Sequence, residues 1–202
     1  MVKLIGKEKL KTAVFISGRG SNLKSLYKFS KKIKSPIFIK LIVTDNKKAK
    51  GLLFAENKKL KILKVSYSNR SFAEKKIKKI LKKNNIYLIC LAGFMKILSK
   101  DFINSFTGKI LNIHPSLLPK YKGLNTHKRV IHNKEKFSGC TVHLVNDKLD
   151  SGKIILQKKV KVLKNDDEHQ LSRKILKIEH KLYPSAIKKL FSSYWKKSLF
   201  LL

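Results

Sequence analysis

Residues 111–127 read LNIHPSLLPKYKGLNTH, and the rest of the chain is best read outward from them. The stretch continues a short apolar run, Lys109 to Leu111, of the kind that forms a buried parallel strand. The strand cannot run on. Pro115 has no ladder donor and biases His114 toward an extended backbone, and Pro119 and Gly123 punctuate the following loop. Asn112 and His114 are two positions apart, so on a strand both project to one face. An amide and an imidazole then stand side by side at a strand's carboxyl end, where ligands bind in open α/β sheets. The plain alternative is a polar strand end with a packed histidine. The Pro/Gly loop that follows at once favours the functional reading.

On the N-terminal side, strands and helices alternate. Apolar, β-branched runs predict strands at Lys11–Ser17, Phe38–Val43, Leu60–Val65 and Tyr87–Leu91. Helices are predicted over Leu23–Phe29, Ala49–Asn57 and Ser71–Lys83. Such alternation is the signature of a mostly parallel, twisted sheet with helices on both faces. The first strand runs into Gly18-Arg19-Gly20-Ser21-Asn22 and then a helix. Strand, Gly-rich turn and helix start present backbone N–H groups and a positive dipole end to a phosphate. Ser21 and Asn22 can each cap that helix and donate to an oxyanion. The third Gly of the dinucleotide fingerprint and the Lys-Ser/Thr of a P-loop are both missing, so one phosphate group is expected, not a pyrophosphate. Phe94-Met95-Lys96-Ile97-Leu98 is an apolar segment where a polar loop is expected, suited either to lining a pocket for a flat ligand or to local packing. Ser99 after it looks like an N-cap.

On the C-terminal side, Lys128–Asn133 is predicted helical, and Gly139–Val145 and Ile154–Val162 are predicted strands. Hairpin-like pairing there would place an antiparallel strand toward the C-terminal part. Asn165 to Glu168 caps a long helix through His180, and Pro184 opens a last helix over Ser185–Phe191. Asp150 lies in a Leu-Asp-Ser-Gly loop between the two strands, within reach of the Asn112/His114 pocket.

Composition sets the bounds. A chain of 202 residues, 43% apolar, suits one domain with a substantial core. Cys90 and Cys140 sit in apolar runs, as small buried thiols of a reducing compartment would. No Cys/His spacing suggests a metal, and no stretch suggests a membrane span or signal peptide, so a cytoplasmic location is expected. The formal charge of +36 first suggests nucleic acid. The lysines, however, are spread over the whole chain, arginine is scarce, and no RNP-type pattern is present. No specific nucleic-acid partner is therefore expected. The charge should help capture anionic small molecules.

An imidazole beside a carboxylate, with a neutral amide donor, can stabilise an oxyanion and shuttle a proton. Those parts suit attack of an amine on an acyl carbon. No Ser or Cys elbow is present, so direct transfer is favoured over an acyl-enzyme.

The stretches FISGRGSNL, LAGFMKILS, LNIHPSLLPKYKGLNTH, VHLVNDKLDSG and IEHKLYP resemble the folate-dependent glycinamide ribonucleotide formyltransferases, from about Lys11 to about Pro184. The resemblance implies a single domain, 1–202, with a Rossmann-like formyltransferase fold. A phosphate-binding half (11–110) would precede a catalytic and folate-binding half (111–202). It implies transfer of the formyl group of 10-formyltetrahydrofolate to the glycinamide amine in purine synthesis, without a metal. Asn112 and His114 would hold the formyl oxygen, His114 as general acid. Asp150 would raise the His114 pKa and move a proton through water. Gly20, Ser21 and Asn22 would take the phosphate and Glu179 the ribose. Arg70, the backbone of Met95, Lys96, Ile97 and Leu98, and Asn112 would face the folate. Small-molecule substrates and a monomer or weak homodimer follow from the same resemblance. Three positions depart from the common family pattern: Lys122 stands where Pro is frequent, Asn125 where His is, and Lys96 where Arg is. Two other readings remain: a sister enzyme formylating a sugar amine or a charged tRNA, and a nucleic-acid binder using the lysine surface.

Overall fold

The computed structural model describes residues 9–199, with side chains through Phe191. Residues 1–8 and the end of the apolar tail, 200–202, lie outside the described residues. The chain forms two compact units. The first runs to Leu98 and includes Asn104–Lys109, and the second takes Ser99–Ile103 and everything from Ile110.

The first unit is built from β1 (Leu10–Ile16), α1 (Ser21–Ser30), β2 (Ile37–Thr44), α2 (Gly51–Asn57), β3 (Ile62–Lys64), α3 (Arg70–Lys83) and β4 (Leu88–Leu91). Its strands lie in the order β3-β2-β1-β4, and all the pairs are parallel. The central strand explains why. Ala13, Val14, Phe15 and Ile16 are fully buried, so β1 is apolar on both faces, as a parallel strand covered by helices must be. Asn69 caps α3 by accepting from the Phe72 N–H at 3.0 Å.

The second unit contains α4 (Lys100–Ser105) in part, β5 (Lys109–His114), α5 (Thr126–His132), β6 (Phe137–Leu144), β7 (Ile154–Lys161) and α6 (Glu168–Leu199). Ser99 caps α4 as expected, its Oγ accepting from the Phe102 N–H at 3.0 Å. β6 is the antiparallel strand anticipated toward the C-terminus, and it runs against both β5 and β7.

The end of the chain corrects the sequence reading. Instead of one helix closing near His180 and another opening at Ser185, a single α6 passes through Pro184. Its start is a reciprocal cap: Asp167 Oδ1 accepts from Gln170 N at 2.6 Å, and Gln170 Oε1 accepts from Asp167 N at 2.9 Å. An interior proline costs about 3 kcal/mol. Against that, Leu171, Ile175, Leu182, Tyr183, Ala186, Ile187 and Leu190 form one buried stripe on both sides of it. Each large apolar member contributes roughly 1.5–3 kcal/mol on burial, so keeping the stripe continuous outweighs the lost backbone bond. Among the described residues, no helix is long and apolar enough to cross a membrane.

α6 also braces β5, since the fully buried Tyr183 donates its hydroxyl to the Leu111 carbonyl at 3.0 Å, one residue before Asn112. Tyr183→Phe should lower stability by about 1–2 kcal/mol, the cost of leaving a buried acceptor short of a donor. A lower urea midpoint at unchanged slope is the expected reading.

Candidate functional site

In the second unit, β5 delivers Asn112 and His114 to the same face, and the loop between β6 and β7 delivers Asp150. All three meet. Asp150 is buried, with a left-handed backbone at φ 47°. Its Oδ2 lies 3.3 Å from His114 Nδ1 and accepts from Gly123 N at 2.9 Å. Its Oδ1 accepts from Asn112 Nδ2 at 3.3 Å. Gly152 shapes this loop: a Cβ there would stand 1.7 Å from the Leu144 carbonyl, so no larger residue fits.

The tautomer of His114 follows from its partners. Nε2 is 2.8 Å from the Tyr121 carbonyl, which can only accept, so Nε2 carries a proton and donates. Nδ1, facing Asp150, is therefore the nitrogen that gains or loses a proton. Burial pulls the His114 pKa below the ordinary imidazole value. The Tyr121 bond and the Asp150 charge oppose that pull, while His143 and Arg129 add to it. The expected upward effect of Asp150 is thus present, but burial outweighs it. Asp150 shows the reverse balance. Burial pushes its carboxyl up, yet His143, the Gly123 N–H and the neighbouring imidazoles bring it below the usual carboxylate range.

His143 belongs to this cluster and was not foreseen. It lies opposite Asn112 across the β5–β6 ladder. Its Nδ1 donates to the Leu144 carbonyl at 2.8 Å, which leaves Nε2 facing Asn112 Nδ2 at 3.3 Å. That Nε2 also stands 3.6 Å from Asp150 Oδ1. The available signal was its inward phase in the alternating run GCTVHLV, but a lone histidine in an apolar strand reads first as core.

Glu179, on α6, is buried. Burial, and secondarily its charge, push the Cys140 thiol up to about 12. Cys90 and Cys140 are both buried and outside any disulfide, and a thiol raised as that of Cys140 is no nucleophile at neutral pH.

In the first unit, the Gly-rich turn forms, but neither Ser21 nor Asn22 caps the helix. The N-cap is Gly20, left-handed at φ 71°, with no side-chain cap. The positive φ and a crowded backbone exclude a side chain here, because a Gly20 Cβ would lie 2.7 Å from Gly51 Cα. Gly51, at the start of α2, is a second residue that the sequence reading missed. It backs onto the turn, and its N–H donates to the Gly18 carbonyl at 3.0 Å. The first helical bond of α1 is Lys24 N to Gly20 O at 3.0 Å, so the helix supplies no acceptor for the N–H groups before it.

The 93–98 loop is in part locally packed. Phe94 packs edge-on against Phe15 and Tyr67, and Leu98 is buried. Met95 and Ile97 are exposed by 65% and 63%, so only these two offer an apolar surface. Ser17 fixes the loop: its Oγ donates to Asp45 Oδ1 at 2.5 Å and accepts from Met95 N at 2.8 Å. Lys96 Nζ lies 3.8 Å from Asp45 Oδ2, and Arg70 is exposed at the first turn of α3. Among the described residues, no group of three or more His, Cys, Asp or Glu is placed to hold a metal ion.

The chain resembles known proteins over nearly its whole length. The formyl transferase family model matches residues 10–187. A phosphoribosylglycinamide formyltransferase of Haemophilus influenzae is 39% identical over 181 residues, covering 88% of this chain and 85% of that protein. The trifunctional purine biosynthetic protein adenosine-3 of Gallus gallus is 40% identical over 186 residues, but these are 91% of this chain and 18% of that protein. The chain thus spans less than a fifth of that trifunctional relative. Among solved structures, the phosphoribosylglycinamide formyltransferase of Brucella melitensis superposes with a TM-score of 0.86 at 38% identity, covering 91% of this chain and 96% of that one. Glycinamide ribonucleotide transformylase 1 of Symbiobacterium toebii gives 0.87 at 34% identity, covering 96% and 92%. The chain belongs to the formyl transferase family, and its α/β fold is that of these transformylases.

The cluster fixes the sign of the pH dependence of stability. Folded His114 binds a proton less readily than an unfolded histidine, whose pKa is about 6.5. Its contribution is complete above that value and is lost as pH falls toward the lower folded pKa. Asp150, also lowered, contributes above about 3.9 and loses its contribution as pH falls through its folded pKa. Urea stability should therefore drop as pH falls below about 6.5 and again in stronger acid. In His114→Asn the first drop should shrink without vanishing, because burial lowers His127 and His180 as well.

Proposed function

We propose that the protein is a phosphoribosylglycinamide formyltransferase, moving the formyl group of 10-formyltetrahydrofolate to the amine of 5-phosphoribosyl-glycinamide in purine synthesis. The observation that carries this is the meeting of Asn112, His114 and Asp150, with one imidazole nitrogen committed to a carbonyl and the other left for proton exchange.

The amine nitrogen attacks the formyl carbon, and the carbonyl oxygen becomes an oxyanion. Asn112 Nδ2 and protonated His114 Nδ1 donate to it. Asp150 stabilises the charged ring and, through water, passes the ammonium proton toward the folate nitrogen. The carbon–nitrogen bond to folate then breaks, leaving formylglycinamide ribonucleotide and tetrahydrofolate. No acyl-enzyme is required.

In this reading the Gly20-Ser21-Asn22 turn takes the single phosphate on backbone N–H groups, and Glu179 accepts from a ribose hydroxyl. Arg70 and the segment Met95, Lys96, Ile97 and Leu98 face the folate, as does Asn112. The whole chain then acts as one catalytic domain, 1–202, with the phosphate half before residue 110 and the chemistry after it. A reducing, cytoplasmic setting accords with two buried cysteines outside any disulfide. A monomer or weak homodimer suffices.

Purified protein given both substrates should release tetrahydrofolate, and a folded protein without turnover would refute the proposal. Asp150→Asn should lower kcat by about 10²-fold or more, the scale of a positioned acid–base partner. Gly51→Ala tests the turn, since its new Cβ would meet Ile16 Cδ1 at 2.8 Å and Gly20 Cα at 3.0 Å. Shifting the turn should raise KM for the ribonucleotide roughly tenfold, about one charge-assisted hydrogen bond, with kcat nearly unchanged. Steady-state kinetics read both.

A further inference from the structure

The reactive geometry of His114 depends on the Tyr121 carbonyl, so what holds Tyr121 matters. It sits in an otherwise irregular loop, with a left-handed backbone at φ 58°. Its side chain is anchored from three directions. The hydroxyl donates to Glu135 Oε1 at 2.9 Å and accepts from Asn133 Nδ2 at 3.0 Å. The Arg129 guanidinium covers the ring at 5.2 Å and donates to the Lys122 carbonyl at 2.7 Å.

All three anchors come from α5 or its C-terminal turn, and that turn is a rigid motif. Lys134 is left-handed at φ 48°. Its N–H reaches the Ile131 carbonyl at 3.0 Å, and the Glu135 N–H reaches that of Val130 at 3.2 Å. This is the double closure of a Schellman end, which places the residues flanking Lys134 in fixed positions. Asn133 and Glu135 are those residues.

We propose that Glu135 and the Tyr121 hydroxyl form a positioning clamp, locking the Tyr121 carbonyl onto His114 Nε2 so that Nδ1 stays directed at Asp150 and the reacting acyl group. Glu135 bonds to Tyr121 and Lys120 and not to the imidazole, so it is a positioning residue that acts through Tyr121. The inference rests on the catalytic role given to His114 above.

Tyr121→Phe removes the hydroxyl and keeps the carbonyl and the ring under Arg129. It should lower kcat roughly tenfold, the scale of a catalytic group held slightly out of place, with KM for both substrates within about twofold of wild type. Glu135→Ala should match it, and the double variant should be no worse than either single, because both break one device. Glu135→Gln keeps an acceptor for the hydroxyl and should recover most of the activity. Lys120→Ala should change kcat little: Lys120 shares Glu135 Oε1 with the Tyr121 hydroxyl, at 3.0 Å, but from an exposed position, and without it the hydroxyl keeps the same acceptor. The kcat/KM profile adds a readout that mere structural damage would not move. The charges facing His114 are Asp150, His143, Arg129 and His127, and none is altered in these variants. A loosened Tyr121 acceptor should therefore shift the His114 ionisation downward.

Wild-type kcat and an unmoved profile in both Tyr121→Phe and Glu135→Ala would overturn the clamp, even if they melt earlier. His114→Asn separates the two ideas. If that variant is inactive while the clamp variants are normal, only the clamp is wrong. If it keeps full turnover, the catalytic reading fails as well.

Discussion

A buried carboxylate, Asp150, is the constraint around which the second unit is arranged. An unpaired charge taken from water costs several kcal/mol, so it persists only where the fold surrounds it with donors. Here two N–H groups donate to it, the Asn112 amide of β5 and the Gly123 backbone, and the His114 ring faces it from the same strand at 3.3 Å. These contacts tie the Asp150 loop both to β5 and to the loop around Gly123. The left-handed backbone of Asp150 adds to the cost, since a non-glycine residue adopts it only where the surroundings compensate. The same contacts that make the loop tolerable place an acid, a base and a neutral donor within one hydrogen-bonded group. Stability and chemistry are thus met by one set of bonds.

What could be read from the sequence is what local chemistry encodes. The fully apolar run of β1 can only be a strand covered on both faces. Asn112 and His114 share a face because strand periodicity is two. The Gly-rich turn before α1 announces itself by composition. Each of these needs only neighbours in the chain.

The missed features need partners far away in the sequence. Gly51 matters because its backbone meets Gly20, and nothing within α2 marks that approach. His143 is set opposite Asn112 by an antiparallel register that no local pattern fixes. Tyr121 reads as an ordinary loop aromatic until its hydroxyl finds the end of α5. Pro184 was misread for the complementary reason. A strong local signal for a helix boundary was overruled by an apolar stripe continuing on both sides of it. Local rules fail where tertiary burial is worth more than one backbone hydrogen bond.

The charge of the chain illustrates the same division. The formal +36 belongs to the surface: among the described residues, the buried polar side chains include Glu74, Asp150 and Glu179 but no Lys or Arg. Burying an ammonium without a partner is costly, so an excess of lysine in composition is driven outward, while the few interior charges are anionic. The two populations act over different ranges. Exposed lysines set a long-range field that draws in anions and is screened over roughly 8–10 Å at ordinary ionic strength. The pair formed by His114 and Asp150 lies inside, where salt screens it little. Long-range attraction at the surface and the interior pair therefore answer to different physical variables. The composition of the surface can drift toward lysine without changing the acid–base balance that the interior maintains.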